Sequence, residues 1–238
     1  QEAGLAALAR ELTALALHDR SGFAWDSARS PYPGLMSFDE EDAAIFFGRD
    51  EEIRRLIEQL QMLRIQGVGK LVVVLGASGS GKSSLLRAGV LPRLKRSGRQ
   101  WLPLPPIRPQ RAATAALAQA FSLAFADGRD WRLLHQQFRD AEVSHSLSPL
   151  LSDLATDLRL ARNTPDAQIL ISVDQAEELF NEGNPEEVRK FMAGLSTALR
   201  SEAGFQVVMT LRSDFLGCLQ AAEGLGVPLC EVSLPPLD

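Results

Sequence analysis

Leu71-Val72-Val73-Val74-Leu75-Gly76-Ala77-Ser78-Gly79-Ser80-Gly81-Lys82-Ser83-Ser84-Leu85-Leu86-Arg87-Ala88 joins an apolar run, a turn rich in glycine and serine, and a helical restart. The run Leu71 to Leu75 suits a strand buried on both faces, and Ser84 to Ala88 continues as a helix. Between them, Gly76 to Ser83 fits the pattern G-x-x-x-x-G-K-[ST]. Glycine lets the backbone turn so that successive N–H groups face one anion, and the helix N-terminus adds its positive dipole. Lys82 supplies a point charge for the β- and γ-phosphates, and the Ser83 hydroxyl suits magnesium. The expected nucleotide-binding residues are therefore Gly76, Ala77, Ser78, Gly79, Ser80, Gly81, Lys82, Ser83 and Ser84, with ATP or ADP and magnesium as ligands. A turn that matched the letters by chance would need no strand before it and no helix after it. The dinucleotide fingerprint is rejected, because Gly79-Ser80-Gly81 is followed by Lys82-Ser83-Ser84 without the third glycine.

Further along, Ile169-Leu170-Ile171-Ser172-Val173-Asp174 is a mostly apolar run that ends in a carboxylate. This is the Walker B pattern, in which an aspartate faces the magnesium opposite the loop serine, so Ser83 and Asp174 form the expected metal end. Hydrolysis also needs a group to position or deprotonate water. The residue after Asp174 is Gln175, an amide that cannot act as a base, so the expectation passes to Glu177 first and Glu178 second. Both also suit a solvated helix start, where acids are favoured by the dipole alone. Val207-Val208-Met209-Thr210-Leu211-Arg212 is a third apolar run with a polar tip. In ATPases whose P-loop and acidic strands are separated, the intervening strand carries a γ-phosphate sensor at its tip, the role expected of Arg212. The alternative is a surface arginine paired with Asp214.

Apolar runs predict strands at Leu71 to Leu75, Trp101 to Ile107, Ile169 to Val173, Val207 to Leu211 and Cys230 to Leu234. Pro103, Pro105 and Pro106 confine the second to an edge. Helical patterns separate them at Lys82 to about Leu94, Ala112 to Ala126, Leu147 to Leu160 and Glu186 to Leu199, the last opened by Asn184-Pro185. Alternating strands and helices predict an α/β fold, a parallel five-stranded sheet with helices on both faces. Placing the Arg212 strand between the P-loop and acidic strands, as in such ATPases, gives the expected order 5-1-4-3-2. Ahead of the core, Leu5, Leu8, Leu12 and Leu15 or Leu17 suggest an amphipathic helix, and Ser21 to Gly34 reads as a linker. Residues 1–30 are thus an N-terminal helix and linker, and 31–238 the nucleotide-binding core. Ser37 and Glu40 predict a capping box for a short helix through Phe46, and Asp50 a cap for a longer one with Ile53, Leu56, Ile57 and Leu60 on its inner face.

A formal net charge of -5 gives no global support for a nucleic-acid partner. No apolar run reaches the roughly 20 residues of a membrane span, and no secretory signal opens the chain. A cytoplasmic protein is expected. Cys218 and Cys230 imply neither a metal site nor a disulfide framework and are expected as buried, reduced thiols. His18, His135 and His145 are scattered, while Trp101, Trp131, Phe121 and Phe125 are expected in the core.

Together these segments resemble the STAND NTPases, signal-transduction ATPases with numerous domains, and within them a bacterial branch often fused to WD40 repeats. The resemblance rests on Phe46-Phe47-Gly48-Arg49-Asp50-Glu51-Glu52, which matches the family's Gly-Arg-Glu-x-Glu marker except at Asp50. It rests also on Pro31-Tyr32-Pro33-Gly34-Leu35 with Phe38, on Gly76 to Leu86 followed by Arg87-Ala88-Gly89, on Val173 to Phe180, and on Thr210 to Phe215. It implies that Arg49 lies near the nucleotide and that Tyr32 to Leu35 borders the adenine. It also implies helical or winged-helix and sensor modules that the sequence, stopping at Asp238, does not contain. The implied activity is a regulatory switch: ADP holds it closed, and ATP favours an open form that self-assembles and activates an effector on the same chain. Slow magnesium-dependent ATP hydrolysis resets it. The rivals are a small-molecule P-loop kinase, a nucleic-acid motor of the same fold, and a binding module that does not hydrolyse.

Overall fold

The computed structural model describes Phe23, Asp26, Gly34 and residues 36–235 other than Val68, Gly98, Ala126, Asp127 and Gly183. The expected N-terminal helix lies outside the described residues. Five parallel strands form one sheet: β1 (Leu71–Gly76), β2 (Trp101–Pro103), β3 (Gln168–Val173), β4 (Phe205–Arg212) and β5 (Leu229–Ser233). Their order is β2-β3-β4-β1-β5, the predicted order read from the opposite edge. β4 lies between the loop strand and the acidic strand, with Leu71 beside Val207 and Gly76 beside Arg212 on one side. On its other side Ile169 pairs with Phe205 and Val173 with Met209.

Strand periodicity sorts the core into two layers. Leu71, Val73 and Leu75 of β1 face the helices Ala113–Ala124, Trp131–Val143, Leu147–Arg162 and Pro185–Arg200, in a layer that includes Phe121, Leu158 and Phe191. Val72 and Val74 face the other way, onto Ile53, Leu56, Ile57 and Leu60 of the helix Asp50–Gln66 and onto the helix after the loop. All six β1 residues are buried, which explains why the run carries no alternating polar positions.

β2 is shorter than Trp101 to Ile107, because proline interrupts the ladder. The chain nevertheless tracks β3 to the end: Leu104 donates to Leu170 O at 2.9 Å and Ile107 to Ser172 O at 2.7 Å. Pro103 precedes the first of these bonds, and Pro105 and Pro106, lacking N–H groups, fall between the two. The helix after the loop is interrupted as well. Lys82–Ser84 passes through a π turn, Leu85–Val90, into Leu91–Arg96. Gly89 lies in that turn, and a Cβ there would come within 2.9 Å of Ile53, so the glycine lets the two helices close together.

Several local expectations change. The cap near residue 37 belongs to Asp39, whose carboxylate accepts from Glu40 N while Asp42 accepts from Asp39 N at 2.9 Å. A carboxylate outcompetes the Ser37 hydroxyl, and the result is one 3-10 turn, Glu40–Asp42, rather than a helix through Phe46. Asp50 is the first helical residue, and Arg49 precedes it without a side-chain cap. Trp131–Val143 is a helix that the apolar runs did not reveal, capped by Asp130 and burying Leu134, Phe138 and Ala141. Trp131 is only half-buried, under Arg132. Cys218 is exposed and Cys230 partly buried, both unpaired, so the expectation of two buried thiols fails at the first. Among the described residues, no helix is long and apolar enough to cross a membrane.

Candidate functional site

The site is built at the C-terminal ends of β1, β3 and β4. Gly79 and Gly81 sit at φ 76° and 87°, backbone that side chains resist, so the glycine spacing is what the turn requires. A Cβ on Gly76 would meet Ser80 Oγ at 2.6 Å, which leaves glycine as the residue that fits where β1 enters the loop. The Lys82 ammonium folds over the loop, donating to Gly76 O at 3.0 Å and Ala77 O at 2.7 Å. Burial pushes its pKa below the ordinary lysine value, while the neighbouring Glu177 and Asp174 charges pull it back up.

Asp174 is fully buried. Its Oδ1 accepts from Ser83 Oγ at 2.8 Å and from Thr210 Oγ1 at 2.8 Å. Its Oδ2 accepts from Arg87 Nε at 3.0 Å, and Arg108 Nε lies 3.9 Å away. Ser83 and Asp174, expected to share a metal, are therefore in direct contact. One carboxylate and one hydroxyl are hard oxygen donors of the kind magnesium takes, the remaining positions being filled by phosphate and water. No group of three or more acidic, histidine or cysteine side chains placed to hold a metal ion occurs among the described residues, and such a site does not need one.

Thr210, Arg87 and Arg108 belong to this network, and sequence reasoning gave none of them a role. Thr210 has two: its hydroxyl donates to Asp174 and accepts from Gln175 N at 2.9 Å. Gln175 adopts φ 57°, so this bond pins a sharp bend directly after the acidic strand. The signal for Thr210 was a hydroxyl inside an apolar strand. That for Arg87 was its place in the turn after the loop.

The two glutamates diverge from there. Glu177 turns toward β4, its Oε2 accepting from Arg212 N at 3.3 Å, and its charge is felt at Lys82. With the Gln175 amide oriented so that both its atoms are satisfied, its nitrogen donates to Glu178 Oε1 at 2.8 Å and its oxygen accepts from Arg108 Nη2 at 3.0 Å. Glu177 thus faces the β4 and Lys82 side, whereas Glu178 is engaged with the Gln175 amide that also holds Arg108.

Arg212 stands at the end of β4 beside Gly76, and its guanidinium pairs with Asp214 at 2.7 Å and lies over the Phe215 ring. Position at the tip and pairing with Asp214 thus coexist. Both partners of that pair are over a third exposed, so opening it costs no more than about 1 kcal/mol. Arg49 reaches the loop from behind. It is 3% exposed, and its Nη2 donates to Ser80 O at 3.1 Å and to Pro235 O at 2.8 Å while Nη1 holds Glu52. It braces loop backbone with these donors. Ser84 Oγ accepts from Phe38 N at 3.0 Å, tying the segment before the first helix to the loop helix. Of Tyr32 to Leu35, expected beside the adenine, the described residues include Gly34 alone.

Residues 31–238 match the family described as Novel STAND NTPase 1. No curated protein matches the chain. Among solved structures, it is similar to a Walker-type ATPase of Pyrococcus abyssi, with 21% identity and a TM-score of 0.49 over 86% of this chain and 57% of that one. PCH-2 of C. elegans gives 13% identity and a TM-score of 0.47 over 81% and 45%. ORC2 of Aeropyrum pernix, in ADPNP–ADP complexes, gives 12% and 0.47 over 86% and 50%. The chain spans about half the length of these structures.

Proposed function

The chain belongs to the Novel STAND NTPase 1 family, and from that premise we propose that it is a regulatory ATP/ADP switch with slow, magnesium-dependent ATP hydrolysis. The observation that carries this reading is the contact of Ser83 with the buried Asp174 beside Lys82, with Glu177 turned toward the same side. Lys82 would leave the loop carbonyls for the β- and γ-phosphates, and the loop N–H groups would hold the remaining oxygens. Ser83 and Asp174 would hold magnesium, which supplies neutralisation of phosphate charge. Glu177 would orient and deprotonate the attacking water from the loop side, while Glu178 is occupied by the Gln175 amide.

Switching requires that ATP and ADP favour different states by different affinities. Arg212 is suited to that difference, since its weak surface pair with Asp214 can be exchanged for a γ-phosphate at little cost. The readout would be self-assembly and control of effector and sensor modules on the same chain, in the cytoplasm, a setting that suits two unpaired cysteines. Incubating the chain with ATP, magnesium and candidate small-molecule acceptors tests the proposal. Slow release of free phosphate supports it. Phosphate transferred to an acceptor would establish a kinase. Bound ATP left intact over many hours would leave a binding module or a domain that needs further modules, which the same assay on the full-length protein with its trigger separates.

A further inference from the structure

Arg87 sits on the π turn of the loop helix, and two carboxylates share its guanidinium. Nε donates to Asp174 Oδ2 at 3.0 Å and Nη1 to Asp39 Oδ2 at 3.0 Å. The two partners differ sharply in setting, since the Asp174 side chain is 0% exposed and that of Asp39 49%. A π turn inserts one residue into the helical repeat and re-aims the side chains around it, and such turns gather at functional sites. Here it carries an arginine onto the acid expected to face the metal. Arg108 is a second cation near the same oxygen, 3.9 Å away.

The negative charge of Asp174 is thus already matched by protein cations. Adding a divalent cation beside it sets like charges against one another in a poorly screened space. We propose that Arg87 is a positioning residue that holds the Asp174 carboxylate in place and competes with magnesium for it, and that Asp39 is the partner to which Arg87 withdraws when magnesium and nucleotide bind. Asp39 is well placed to pass the exchange on. It belongs to a strap tied to the loop helix by the Phe38 N–H to Ser84 Oγ bond at 3.0 Å and by the Lys95–Glu40 ion pair. The Phe38 and Phe46 rings pack 5.7 Å apart at its base. The strap that leads into the core would therefore report whether the metal end of the site is filled.

This inference rests on the reading of Ser83 and Asp174 as that metal end, and the test separates the two. ADP affinity of the 238-residue chain is measured by calorimetry across a magnesium series, for wild type and for Arg87→Gln, Arg87→Lys and Asp39→Asn. Arg87→Gln keeps a donor but removes the charge, and the half-saturating magnesium concentration should fall by at least about tenfold, less than a full unit charge at this range because Arg87 can withdraw toward Asp39. Arg87→Lys should stay near wild type. Asp39→Asn should move the midpoint the opposite way, because Arg87 then has Asp174 as its only carboxylate partner of the two. If Arg87→Gln leaves the midpoint unchanged or raises it, competition is refuted. Should that variant not fold, an unchanged or lowered midpoint in Asp39→Asn refutes it equally. A wild-type chain whose ADP affinity ignores magnesium refutes the metal end itself, and this inference with it.

Discussion

Thr210→Val is a demanding perturbation because it alters almost no volume and removes only a hydroxyl. The wild-type group is fully buried, donates to Asp174 Oδ1 at 2.8 Å and accepts from Gln175 N at 2.9 Å. A hydrogen bond to a charged acceptor contributes roughly 1.5–3 kcal/mol and a neutral one about 1 kcal/mol, and the N–H left behind adds its own desolvation cost. Together the variant should lose about 2–4 kcal/mol. At about 2–4 °C per kcal/mol for a domain of this size, its melting temperature should fall by about 5–15 °C. Thr210→Ser keeps both bonds and gives up one methyl, so it should lose only about 1 kcal/mol. Urea unfolding of the three proteins at equal concentration measures both differences. The bend at Gln175 should also relax in the valine variant, moving Glu177 and lowering turnover beyond what stability explains. A valine variant as stable as wild type, or a serine variant less stable than valine, would refute the reasoning.

Lys82→Ala should remove most ATP and ADP affinity while shifting the nucleotide-free melting temperature little, since the shorter of its two loop bonds is to the carbonyl of exposed Ala77, where water can replace it; calorimetry and thermal melts check both. Gly81→Ala places a side chain at φ 87° and should destabilise the loop by about 1–2 kcal/mol, read by urea unfolding, with weaker ADP binding besides. Glu177→Gln should lower phosphate release while ATP still binds, and Glu178→Gln should do less; a wild-type rate in Glu177→Gln means the base is elsewhere.

What was legible in the sequence follows from which contacts are local. β1 announced itself as a continuous apolar run because both faces of it are buried. The order of the sheet followed from placing the strand that ends in Arg212 between the loop strand and the strand that ends in Asp174. The helix Trp131–Val143 was missed although Leu134, Phe138 and Ala141 stand at helical spacing, because most of its other residues are polar and exposed. Within the site, glycines and Lys82 were readable because one short turn contains them. Thr210 and Arg87 were not, because they meet Asp174 across 36 and 87 residues, distances over which pattern carries no information about contact. Arg49 shows the same limit. A motif marked it as near the nucleotide, and the partners through which it braces the loop, Ser80 O and Pro235 O, lie 31 and 186 residues away, where pattern could not name them.

The central claim is that Asp174 and Ser83 make nucleotide binding depend on magnesium. The measurement that reaches it most directly is calorimetric titration of ATP and ADP into wild type and Asp174→Asn, each with magnesium and with a chelator. Wild type should bind both nucleotides and bind them more tightly with magnesium, whereas Asp174→Asn should bind with an affinity that magnesium scarcely changes. Equal magnesium enhancement in the two proteins, or no nucleotide binding by the folded wild type, would contradict the account.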